Sequence, residues 1–85
     1  MAEVIRVFDG SLIGPDGRQY SGWVWGSERP DGRWEGWLEF HDGSTVARTD
    51  RETTQSNRAG LVYWAGGLTS VYAQGALSRA IRVDP

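Results

Sequence analysis

The sequence predicts an α+β fold: a curled four-stranded antiparallel β-meander, forming a small and partly open barrel-like sheet, with a C-terminal helical segment packed on one face. Three observations predict it. Asp-Gly occurs four times in the first half, at residues 9–10, 16–17, 31–32 and 42–43, and Asp-Gly between apolar runs is a strong hairpin signal. The registers those turns impose bring apolar residues into line across strands. Beyond residue 57 the apolar spacing changes from alternation to a helical period.

Taken in order, Glu3 to Ile13 reads as a long first strand interrupted at Asp9-Gly10, where a bulge or corner is expected. Pro15-Asp16-Gly17-Arg18 and Pro30-Asp31-Gly32-Arg33 are the same tetrapeptide. Proline presets φ for the first turn position, aspartate suits the second, and glycine closes the turn through a left-handed residue. Each predicts a three-residue hairpin loop. The second strand then runs Gln19 to Glu28 and the third Trp34 to His41, pairing Arg29 with Arg33, Trp25 with Trp37, Val24 with Leu38 and Gly22 with Phe40. The first loop pairs Leu12 with Tyr20 and Phe8 with Val24. The same rule applied to His41-Asp42-Gly43 predicts a fourth strand over Ser44 to Thr49, with Leu38 facing Val46 and Trp37 facing Ala47. One row, Phe8, Val24, Leu38 and Val46, would then cross all four strands.

Residues 50–57 are polar and aperiodic, which predicts a connecting loop. Leu61, Trp64, Leu68, Val71 and Tyr72 follow at helical spacing, with Ser56 or Asn57 available as N-cap. Gly66-Gly67 should divide residues 58–82 into two short helices, the second starting near Thr69 or Ser70 and burying Val71, Ala76, Leu77 and Ala80 or Ile81. A hairpin of Leu61 to Trp64 with Thr69 to Tyr72 is the rival, because these residues also favour strands.

Composition narrows the chemistry. The 85 residues suit a single domain with one core, burying about 60–65% of the unfolded surface. Cysteine and lysine are both absent, which removes disulfides, thiolate nucleophiles, Cys-type metal sites, Schiff bases and a Walker-type lysine. No cofactor and no metal site is expected. A net charge of −2 argues against a simple polyanionic partner, since non-specific nucleic-acid binding rests on excess cations. The N-terminal residues lack a basic stretch followed by an apolar one, and the longest apolar run is far shorter than the ~18–20 residues that span a bilayer. A soluble, cytoplasmic protein with no membrane partner is the expectation.

The runs Arg33-Trp34-Glu35-Gly36-Trp37-Leu38-Glu39-Phe40, Arg51-Glu52-Thr53-Thr54-Gln55-Ser56-Asn57-Arg58 and Tyr63-Trp64-Ala65 resemble a family of small uncharacterised proteins of arginine-rich, high-GC bacterial proteomes, a similarity that covers about half of the chain. The resemblance implies no activity.

The registers give the sheet two apolar faces. One carries Val24, Trp34, Leu38, Phe40 and Val46 with Phe8 and Tyr20, and is the expected core. The other carries Trp23, Trp25 and Trp37 among Ser21, Ser27, Glu35, Glu39, His41, Thr45 and Ala47. Either the helical segment or a second copy covers this tryptophan face, or it is a recognition surface for another protein. Trp23, Trp25, Trp37, Glu35, Glu39 and His41 are its candidate residues. The expected function is a non-enzymatic protein-interaction or self-associating module. A single-stranded nucleic-acid-binding domain is the alternative, using surface aromatics with Arg29, Arg33, Arg48, Arg51 and Arg58. A homodimeric structural protein with the tryptophans buried is the second. No catalytic residue is assigned. His41 with Glu39 or Asp42 could be drawn as an acid–base dyad, but neither a nucleophile elbow nor a phosphate-binding glycine motif accompanies it.

Overall fold

The computed structural model describes residues 1–83. They form an α+β fold in which one antiparallel sheet of seven strands is backed by two helices. The strands are β1 (Ala2–Val7), β2 (Leu12–Ile13), β3 (Gln19–Glu28), β4 (Trp34–His41), β5 (Val46–Arg48), β6 (Thr53–Gln55) and β7 (Ile81–Val83). The helices are α1 (Arg58–Gly66) and α2 (Ser70–Arg79). The main path runs β1-β3-β4-β5-β7; β2 shares the edge of β3 with β1, and β6 shares the edge of β4 with β5. With β1 and β7 at opposite ends of that path, the sheet remains open.

Four strands therefore become seven. The expected first strand is cut by a corner at Phe8–Ser11 into β1 and β2. The polar stretch 50–57 contains β6, whose Thr53–Gln55 pair with Gly36–Trp34. The expected helical segment 58–82 ends at Arg79, and Ile81–Val83 returns to the sheet beside β5.

The two Pro-Asp-Gly-Arg loops are built alike. Gly14 N–H donates to Arg18 C=O at 2.8 Å and Arg29 N–H to Arg33 C=O at 2.7 Å, while each loop aspartate accepts from the N–H two residues on at 3.0 Å. The glycines of all four Asp-Gly pairs have positive φ, which a β-carbon would disfavour. The β3–β4 register is the expected one throughout, including Trp25↔Trp37, Val24↔Leu38 and Gly22↔Phe40.

Two other registers differ. At β4–β5, His41 pairs with Val46, Phe40 with Ala47 and Glu39 with Arg48. No proline heads this turn. Instead the Asp42 carboxylate accepts from the N–H groups of Ser44 and Thr45 at 3.0 and 2.6 Å, closing a tighter loop around Gly43-Ser44. The slip is an odd number of residues, so it exchanges faces: Ala47 and Thr49 turn to the core, and Val46 and Arg48 leave it. At β1–β3, a bulge between Val4 and Arg6 sets Arg6, not Phe8, opposite Val24, and the continuous Phe8–Val24–Leu38–Val46 row does not form.

The bulge turns Ile5 and Arg6 together toward the helices. Ile5 packs on the core, and Arg6 Nη1 donates to the carbonyls of Ala65 and Leu68 at 2.6 and 2.8 Å, at the end of α1. Asn57 and Thr69 are the N-caps, their side chains accepting from Gly60 N–H and Tyr72 N–H. The chain breaks at Gly66-Gly67 into two helices, and the rival hairpin is not formed. Ala76 and Leu77 are buried as expected, and of Ala80 and Ile81 it is Ala80 that packs on the core while Ile81 is 69% exposed; Val71, expected in the core, is 80% exposed, and Ala73 is buried in its place.

The core lies between the helices and one sheet face, around Phe8, Leu12, Tyr20, Val24, Leu38 and Phe40. Gly22, Gly26 and Gly36 are buried on this same face. A β-carbon at Gly26 would lie 2.3 Å from Leu61 Cδ2, and one at Gly36 2.7 Å from Leu61 Cδ1. These two glycines form the hollow that seats α1 through Leu61.

Candidate interaction face of the sheet

Strand alternation sends Trp23 and Trp25 of β3, and Glu35, Trp37, Glu39 and His41 of β4, to the side away from the helices. Directly opposed residues share a face, and the pairs Ser27↔Glu35, Trp25↔Trp37, Trp23↔Glu39 and Ser21↔His41 therefore gather all six expected residues into one array. Both helices pack on the other side, so the array carries no second layer from residues 1–83. Trp23, Trp25 and Trp37 are each half-buried.

The face is wider than the sequence suggests. Val4 lies opposite Trp25 and Val7 opposite Trp23. On the other flank, Val46 lies opposite His41 and Val83, and Arg48 opposite Glu39 and Ile81. Val7 is 57% exposed. Alternation alone could not find Val4 and Val7, because they stand three residues apart and meet on one face only through the bulge. Nothing in the sequence points to Ile81 and Val83.

Glu39 sits in the middle of the array and not on a rim. It is only 7% exposed, and its carboxylate accepts from Arg48 Nε and Nη2 at 3.0 and 2.9 Å. Its other oxygen lies 3.0 Å from His41 Nε2. The His41 ring meets Trp23 edge-on, with centroids 4.5 Å apart and planes at 76°. Glu35 is held in turn by Arg29 Nη1 at 3.3 Å. Each carboxylate has its own arginine. Ser21, opposite His41, makes no hydrogen bond to it among the described residues.

Arg48 thus joins the tryptophan side, where the expected register put it on the opposite one. The other expected arginines are dispersed. Arg29 and Arg33 share Asp31 at the β3–β4 tip, Arg58 pairs with Glu3 at 2.6 Å and lies 5.9 Å over the Trp34 ring at the start of α1, and Arg51 is exposed between β5 and β6. They form no continuous basic track, and four of the five are already paired with carboxylates.

Compared with known proteins, the chain matches no family model, no curated protein and no solved structure. Among the described residues, no group of three or more His, Cys, Asp or Glu side chains is placed to hold a metal ion, and no helix is long and apolar enough to cross a membrane.

The indole nitrogens of Trp25 and Trp37 are buried and have no hydrogen-bond partner among the described residues. What these half-buried rings expose is therefore carbon, and the centre of the face offers apolar contact more than hydrogen bonding.

Next to the face, the β4–β5 turn is expected to be sensitive to acid. Backbone N–H groups of Ser44 and Thr45, and then Arg18 at 3.0 Å, hold the Asp42 carboxyl well below the usual carboxylate range. Its contribution to stability is complete above the unfolded value of about 3.9 and is lost as pH falls from there through the lower folded value. Asp42→Asn is expected to lower the thermal midpoint at pH 7 and to show a smaller further drop than wild type between neutrality and strong acid. Calorimetry across that range measures both; parallel acid limbs would contradict the pairing.

Proposed function

We propose that this protein is a non-enzymatic interaction module that receives a protein surface on the outer face of its sheet. The observation that carries this reading is the placement of both helices on the glycine side, which leaves Trp23, Trp25 and Trp37 without a covering layer. Large aromatic side chains with valines beside them, interrupted by internally paired charges, have the composition of an interface centre: aromatic anchors with few free charges. The paired arginines and the acidic net charge weigh against a nucleic-acid strand as the ligand.

The reading is tested by in-cell photo-crosslinking from Val7, on the tryptophan face, and from Tyr63, which is 86% exposed on the helix layer. Adducts from Val7 that vanish in a Trp25→Ala, Trp37→Ala background support it. Adducts confined to Tyr63 would overturn it. Titration with single-stranded RNA or DNA at low salt is expected to leave tryptophan emission unchanged.

A further inference from the structure

We infer that the occupant of this face is a second copy of the chain, packed face to face about a twofold axis so that two open sheets become one β-sandwich. The inference rests on the outer sheet face being the interaction surface and adds the identity of what covers it.

Charge is the first argument. A twofold interface sets the same patch against itself, so a face with uncompensated charge would repel its own copy. Here Glu39 is neutralised by Arg48 and Glu35 by Arg29, within the face itself. No strong field remains to select an oppositely charged partner, and none opposes self-pairing.

Area is the second. The principal extents are 38 × 27 × 17 Å, so the broadest outline of the molecule encloses about 800 Å², large enough to hold the ~800 Å² that each partner contributes to a standard-sized interface. A second sheet stacked at about 10 Å completes the sandwich arrangement by which antiparallel sheets bury two apolar faces.

Strand order is the third. In the path β1-β3-β4-β5-β7 the middle strand is β4, which carries Trp37. A twofold axis along β4 sets each Trp37 near its counterpart, β3 of one copy over β5 of the other, and the Val4–Val7 edge over the Ile81–Val83 edge. Val7 of each copy then comes to the level of Ile81 of the other at both outer edges, while Glu39 meets its counterpart near the axis and Trp23 lies over Arg48, with each carboxylate paired to its own arginine.

Light scattering after size-exclusion chromatography, at about 100 μM chain, far above the Kd of most standard-sized interfaces, is expected to give twice the 9.4 kDa chain mass. Trp37→Arg at the axis is expected to weaken the dimer by at least about 30-fold, the scale of an interface hot spot. Because Trp37 is half-buried, Val7→Glu at its exposed site is the second variant; it should keep the native circular dichroism spectrum and also dissociate. Tyr63→Glu, on the helix layer, should leave the dimer intact. Wild-type mass equal to one chain overturns the second copy as occupant while the Val7 crosslinks, if made to another protein, keep the face as an interface. A dimer that survives Trp37→Arg and Val7→Glu but is lost in Tyr63→Glu overturns both.

Discussion

Leu61→Ala is expected to lower the unfolding free energy by about 2–5 kcal/mol, the range for a fully buried leucine whose site cannot collapse. Leu61 is wholly buried, and its two methyl groups rest against the bare backbones of Gly26 and Gly36 on adjacent strands. Paired strands cannot move inward to fill the space without breaking their own ladder. The reverse change is also costly: Gly26→Ala places a methyl 2.3 Å from Leu61 Cδ2 and 3.0 Å from Ile5 Cγ1, and overpacking of this kind costs about 1–3 kcal/mol. The two substitutions should compensate in part when combined, since the methyl added at Gly26 enters space vacated by Leu61. Urea unfolding of the two single variants and the double variant measures the coupling. Full additivity would show that α1 is not seated on this hollow.

Arg6→Ala is the second large effect, expected at about 2–3 kcal/mol, the upper part of the range for hydrogen bonds made by a charged group. The half-buried guanidinium donates to the carbonyl of Ala65 at the C-terminal end of α1, where the helix dipole favours a cation, and to that of Leu68 in the connection to α2. It also lies 4.4 Å from the centre of the buried Phe8 ring. Alanine would leave both carbonyls without that donor and uncover Phe8. Lysine keeps the charge but not the planar group that lies on the ring and should recover only part of the loss. Hydrogen exchange at the end of α1 should accelerate in Arg6→Ala more than exchange in β4; uniform acceleration would mean the contact is global rather than local.

What could be read from the sequence was whatever local chemistry decides. The two Pro-Asp-Gly-Arg loops announced their geometry, and with it the full β3–β4 register and the alignment of Trp23, Trp25 and Trp37. Gly66-Gly67 marked the helix break. Asp42-Gly43 resembled the other turns but lacked their proline, and its carboxylate drew the backbone into a shorter loop that reversed the faces of Val46, Ala47 and Arg48. β6 and β7 have three residues each and exist only through partners distant in the chain, so no local pattern marks them. Val71 fits the helical period as well as Ala73 does; only the tight approach of α2 to the sheet selects the smaller residue. The side on which the helices pack did have a signal. Gly22, Gly26 and Gly36 share strand parity with Val24 and Leu38, and glycines on one face of a sheet mark where another backbone comes close.

The return of β7 to the sheet also orders events in time. The β3–β4 hairpin needs only a three-residue loop to close, whereas Arg48 meets Ile81 only after the whole helical excursion has been spanned. Non-local pairings form late because their loop entropy must be overcome before any contact compensates it. Until then β5 is a bare strand edge, with its Val46 still lacking Val83 as a neighbour. The slowest step of assembly thus coincides with the longest exposure of an edge able to pair with the wrong chain.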